Sequence, residues 1–116
     1  MLTQNVRIFR IEETPEEVLH GGASVRRVIT KQATGTDLTV SVARLQPGQG
    51  HSWHRHAASD EVICVIEGSG TLSLETGEIK YGTGSMLLVP RQTLHQNFNT
   101  GGTELVLMTV FNPAIR

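Results

Sequence analysis

A chain of 116 residues with a net charge of −1 can bury one core, so residues 1–116 are expected to form a single domain. Its Lys and Arg are interspersed among Asp and Glu rather than gathered in a basic stripe, which argues against nucleic acid as a partner; no apolar run is long enough to span a membrane. The start, residues 1–7, lacks the apolar centre of a signal peptide, and the one cysteine, Cys64, permits no internal disulfide, so cytoplasm is the expected compartment.

In chain order, Val6 to Ile11 is predicted as a first strand, from the apolar Val6, Ile8, Phe9 and Ile11. Thr14-Pro15-Glu16-Glu17 carries helix-start chemistry: a Thr N-cap, Pro at the first helical position and Glu three residues after the Thr. A short N-terminal helix or turn ending near Gly21-Gly22 is expected there, with His20 facing solvent at its end. Strands are predicted over Val25 to Thr30 and Leu38 to Leu45, about a Gly35-Thr36-Asp37 turn. The second sets Leu38, Val40 and Val42 against Thr39, Ser41 and Ala43, the alternation of a half-buried antiparallel strand. Val62 to Ile66 reads as a buried strand stopped by Gly68-Ser69-Gly70. Thr71 to Leu74 and Ile79 to Tyr81 form a hairpin through Glu75-Thr76-Gly77-Glu78, and Leu105 to Phe111 is the last strand before Asn112-Pro113. Many short strands joined by Gly-rich turns argue an all-β sandwich or barrel.

The chemistry concentrates in two stretches. In the first, His51, His54 and His56 precede Asp60 and Glu61. Side chains two apart on an extended chain share a face about 7 Å apart, so His54 and His56 can both reach one ion. Glu61 follows a corner, Ala57-Ala58-Ser59-Asp60, and can return to that ion; Asp60 is ordinary turn chemistry. Parity sends Trp53 and Arg55 to the other face, and His51 with them unless the chain is irregular after Gly50. In the second stretch a strand, Met86 to Val89, meets Pro90, turns, and resumes with His95, a fourth ligand from a neighbouring strand.

Gly48, His54, His56, Glu61 and Gly68 at these spacings resemble the first motif of the cupin family, and Gly84, Pro90, His95 and Asn99 resemble its second; together they cover residues 48–68 and 84–99. The family usually carries glycine where this chain has Gln92, at the turn before His95. The resemblance implies an all-β, cupin-type jelly-roll barrel with at most a short helix, and a divalent metal (manganese, iron, nickel, zinc or copper) on His54, His56, Glu61 and His95. A closed structural site would instead use four thiolate or imidazole ligands.

Within that family the expected activity is a metal-dependent enzyme acting on a compact carbonyl, enol or carboxylic acid substrate, with dioxygenase-type chemistry slightly ahead of lyase, isomerase or decarboxylase chemistry. A non-catalytic module binding a sugar or small acid is the alternative from another class. Gln49, Arg44 and Asn97 are candidate substrate contacts, and Tyr81 is the one acid–base candidate. Ile63 and Val65 share parity with Glu61 and should line an apolar wall, while Cys64 points away as an inert thiol. Leu105 to Met108, Val110 and Phe111 are apolar at both parities, so neither face of the last strand expects water; a homodimer is predicted, the alternative being cover by the N-terminal segment of the same chain.

Overall fold

The computed structural model describes residues 6–116; residues 1–5, part of the stretch read above for a signal peptide, lie outside the described residues. Strands β1 (Glu16–Val18), β2 (Ser24–Ile29), β3 (Thr39–Leu45), β4 (Asp60–Glu67), β5 (Ser69–Leu74), β6 (Gly77–Gly82), β7 (Met86–Val89), β8 (His95–Phe98) and β9 (Leu105–Asn112) make two antiparallel sheets. One has the order β1-β2-β3-β9-β4-β7 and the other β6-β5-β8, the two-layer plan of a jelly roll. A single helical turn, α1 (Lys31–Thr34), joins β2 to β3; Thr30 caps it through Oγ1 and Gly35 ends it at φ 78°. Among the described residues no helix is long and apolar enough to cross a membrane.

Two predicted elements differ. Val6 to Ile11 does not form a strand: Val6 to Arg10 has no regular structure, Val6 and Ile8 lie exposed, and a single 3-10 turn follows at Ile11–Glu13. The helix expected from Thr14 is the edge strand β1, paired to β2 with Glu16 opposite Arg26 and Glu17 opposite Val25. Thr14 does not cap; its hydroxyl donates to the Arg10 carbonyl at 3.1 Å. Backbone pairing to β2, with Glu16 reaching Arg26 at 3.4 Å and Glu17 reaching Arg27 at 3.3 Å, outweighs the local helix signal.

Antiparallel register organises the interior in lines across the large sheet. Thr39, Phe111, Glu61 and Val89 form one line; Arg27, Ser41, Thr109, Ile63 and Leu87 the next; Val25, Ala43, Leu107 and Val65 the third. The third line is continuous with the hydrophobic core, which holds Leu45, Leu72 and Leu105 as well. The faces of β3 are therefore the reverse of what its hydrophobicity suggests. Thr39, Ser41 and Ala43 point inward and are buried, while Val40 and Val42 belong to the other face beside Val110 and Met108, Val42 itself being buried there and Val40 partly so. β4 likewise buries only alternate residues: Ile63 and Val65 are inside, whereas Ile66 is exposed. This reversal leaves room for a polar pocket inside the barrel.

Candidate metal centre

The segment between β3 and β4 carries the first three histidines but is not a strand. It is irregular from His51 to Ser59 apart from one bridge, in which His54 and His95 exchange both backbone hydrogen bonds, at 3.0 and 2.9 Å. That bridge pins the loop to β8 and sets the two rings 4.3 Å apart between centroids. The His56 ring lies 5.0 Å from that of His54 and 5.6 Å from that of His95. One nitrogen from each of the three imidazoles falls within 4.8 Å of the others. Glu61, the first inward residue of β4, brings Oε1 to 3.4 Å from His95 Nε2 and 3.6 Å from His56 Nε2.

Backbone carbonyls orient two of the rings. His54 donates from Nδ1 to the Ser52 carbonyl at 2.6 Å, and His95 from Nδ1 to the Thr93 carbonyl at 2.8 Å, so each Nε2 is left with its lone pair for the centre. His56 Nε2 and Glu61 Oε1 are both fully buried without a hydrogen-bond partner among the described residues. Such orphaned groups are costly, and a divalent cation shared by nitrogen and carboxylate donors satisfies both at once. The four residues fit a metal.

The electrostatics of the rings differ. Burial lowers the His56 pKa, only partly opposed by Glu61. At His95 burial also works against protonation, but the adjacent Glu61 carboxylate and the Thr93 carbonyl outweigh it and raise the pKa. His51 is pushed down to about 4, by burial first and then by the neighbouring imidazoles. Neutral imidazoles are the metal-ligating form.

Gln92 stands where the turn needs a left-handed residue, with φ 71°. A side chain there costs strain that glycine avoids. Gln92 offsets it with two hydrogen bonds to the histidine loop, from its backbone N–H to the His56 carbonyl at 2.8 Å and from Nε2 to the Ala57 carbonyl at 2.6 Å. The departure from the family pattern thus ties the second motif to the first.

A cavity of about 290 Å³ opens from this centre, walled by Ile63, Leu107 and Phe111 and lined also by Asn97 and His51. His51 faces inward because the chain after Gly50 is irregular, so parity does not govern it; it stays outside the three-imidazole group, its ring centroid 6.1 Å from that of His54. His20, read as solvent-facing, is exposed yet sits at the cavity wall. Three other candidates lie elsewhere. Arg44 is on the outer face of β3, paired with Glu104 at 2.8 Å, because the inward set of that strand is odd-numbered. Gln49 turns back on its own loop and accepts from the Gln46 N–H at 2.8 Å. Tyr81 does not line the cavity; its hydroxyl donates to Asn97 Oδ1 from behind, and burial pushes its pKa up to about 12. It positions Asn97 and is no acid–base group for the cavity. Asp60 is engaged by Arg91 on the surface, at 2.9 Å from its backbone N–H and 3.2 Å from Nη2. Arg27, Ser41 and Thr109 line the cavity unforeseen; Arg27 shares parity with Val25, the one sequence signal that points to it.

Two antiparallel sheets enclosing a cluster of three histidines and a glutamate define a jelly-roll barrel with a metal-competent centre. The profile of the family described as Cupin domain matches residues 41–111, and the chain belongs to the cupin family. It is 32% identical over 114 residues to the protein SchB of Streptomyces halstedii, covering 97% of this chain and 82% of that protein. Among solved structures, one described as a predicted oxalate decarboxylase from Thermotoga maritima superposes with a TM-score of 0.83 at 19% identity, over 92% of this chain and 99% of that one. The polyketide cyclase RemF of Streptomyces resistomycificus superposes with a TM-score of 0.80 at 18% identity, over 93% of this chain and 80% of that one. At these identities the structural likenesses establish the fold alone.

Proposed function

We propose that the protein is a metal-dependent enzyme acting on a compact carbonyl, enol or carboxylic acid compound by proton transfer without net oxidation, as in decarboxylation, elimination, isomerisation or ring closure. The observation that carries this reading is the convergence of three imidazoles and Glu61 on one side of a small apolar cavity that His51 also faces. A bound divalent metal would supply Lewis-acid polarisation of a substrate oxygen. The chain supplies the rest. His51 accepts a proton from the carbon next to the polarised group. Asn97, held by the Tyr81 hydroxyl, orients the substrate by its amide, and the apolar wall excludes water. The names carried by RemF and by the Thermotoga protein, a cyclase and a decarboxylase, are compatible with such chemistry. Dioxygenase-type chemistry is the second reading, and the three-imidazole, one-carboxylate donor set, which accepts iron, is what favours it.

The test starts from protein purified without added metal, whose metal content is measured. The zinc-loaded protein is then incubated with a β-keto acid in deuterium oxide, and α-proton exchange is followed by NMR. Exchange that requires zinc and is lost in His51→Gln is expected. Oxygen uptake coupled to substrate loss by the iron-loaded protein, without exchange, would establish the dioxygenase instead; acid binding undiminished by a chelator would point to a binding module.

A second copy of the chain is inferred as partner. On the outer face of the large sheet, Val42, Met108, Cys64 and Met86 form one line and Val40, Val110, Val62 and Leu88 another, with Met86 72% and Leu88 70% exposed. From β3 to β7 both lines are uncharged, and the first ends on β2 and β1 in the paired Arg26 and Glu16, so an identical face is a natural complement in a two-fold contact. Sedimentation at micromolar concentration tests it, and a sole 12.7 kDa species refutes it.

A further inference from the structure

We propose that Arg27 and Ser41 form an anion subsite across the cavity from the histidine cluster, so that the substrate is a small acid whose carboxylate rests on Arg27 while another of its oxygens lies at the metal centre. The inference rests on the metal-centre reading above and narrows it to a substrate class. Arg27 and Ser41 are directly opposite one another on β2 and β3, and Thr109 continues the same line on β9. All three line the cavity that contains His54, His56, Glu61 and His95. The next inward line toward the core, Val25, Ala43, Leu107 and Val65, is wholly apolar, whereas this one sets three polar side chains beside Ile63 at the cavity.

Two details mark the rung as a binding surface. Ser41 is 2% exposed, and its Oγ is buried without a hydrogen-bond partner among the described residues. A hydroxyl withdrawn from water and left unpaired is destabilising, and a ligand oxygen relieves it. Arg27 is held from one side only: Glu17 accepts from its Nε at 3.3 Å, and the terminal nitrogens have no partner among the described residues. Glu17 stands at the sheet edge and is half exposed, so it aims the guanidinium without occupying its fork. Of the residues lining the cavity, Arg27 is the permanent cation and Glu61 the sole carboxylate. Glu61 is committed to the metal centre and Glu17 takes only Nε, so the terminal nitrogens of Arg27 are free to receive an incoming anion. β2 and β4 are separated by β3 and β9, about 14 Å between backbones at ordinary strand spacing. After the two side chains reach inward, the gap suits an acid of a few carbons, in keeping with the small volume of the cavity.

The test compares acetate with oxalate, malonate, succinate and glutarate on the zinc-loaded protein by titration calorimetry. Acetate, with one carboxylate, can engage only one end at a time. A diacid of matching length should bind on the order of 10- to 100-fold more tightly than acetate, and Arg27→Gln should abolish that gain while leaving zinc affinity unchanged. Ser41→Ala should reduce the gain several-fold and raise the melting temperature of the ligand-free protein, because it removes the orphaned hydroxyl. If no diacid exceeds acetate, or if the gain survives Arg27→Gln, the subsite is refuted. Zinc affinity read in the same titrations keeps that failure distinct from a failure of the metal centre, which would appear as loss of zinc binding itself.

Discussion

Replacing His95 by alanine is the most direct probe of the centre. The residue is 2% exposed, bridges His54 through the backbone, and lies 3.4 Å from Glu61 through Nε2. In the metal-free protein the substitution leaves a void and costs about 2 kcal/mol, or roughly 8 °C in melting temperature for a chain of this size. The backbone bridge does not depend on the side chain, so the fold survives. Metal is a different matter. At free zinc a thousandfold above its dissociation constant, binding adds about 4 kcal/mol to stability, which raises the melting temperature by roughly 15 °C. Taking away one of four donors weakens binding by orders of magnitude, so His95→Ala should lose nearly the whole shift. His51→Ala, outside the three-imidazole group, should keep it. Thermal melts with and without zinc, paired with measured metal content, read both quantities. One equivalent of zinc retained by His95→Ala with an undiminished shift would refute the assignment, as would a wild-type protein that none of manganese, iron, nickel, zinc or copper stabilises.

Three further outcomes are expected. Gln92→Ala keeps the left-handed strain at φ 71° and forfeits the bond to Ala57, costing about 1 kcal/mol, whereas Gln92→Gly trades bond for relief and stays within about 0.5 kcal/mol of wild type; urea unfolding that ranks alanine above glycine contradicts this. Because the His51 pKa falls to about 4 on folding, the unfolded chain binds the extra proton, so stability drops as pH falls from about 6.5 towards 4, by on the order of 2–3 kcal/mol. His51→Gln should flatten that part of the stability–pH curve, and an unchanged slope would show that His51 is not held neutral. Leu88→Glu, at a 70% exposed position, should leave the melting temperature of a monomer within about 2 °C of wild type yet convert a sedimenting dimer to monomer.

Much of the centre was legible before any coordinates. The spacing of His54, His56, Glu61 and His95 between glycines and strands names the right neighbourhood, and the structure brings the three imidazoles and the carboxylate within a few ångström of one another. Parity reasoning held inside the ladders, where Ile63 and Val65 follow Glu61 to the interior. It failed for His51, which lies in an irregular loop and turns inward, since alternation is a property of paired strands only. It could not tell which parity of β3 faces in, because a barrel holding a polar pocket inverts the usual link between hydrophobicity and burial. Arg44 was chosen and Arg27 overlooked for that reason.

The N-terminal region shows the limit most plainly. Thr14, Pro15 and Glu17 carry a sound local helix signal, and the chain places a strand there because β2 offers backbone partners and two arginines. What the residue order determined by itself is the strand-rich architecture, the two histidine motifs and their closeness, since these depend on short-range periodicity and turn chemistry. Closure of the two sheets decided the rest: which side of β3 faces the cavity, that Tyr81 stands behind Asn97 rather than in the cavity, and that Arg27 and Ser41 line the same cavity as the histidines. Those relations join residues far apart along the chain, and only packing brings such residues into register.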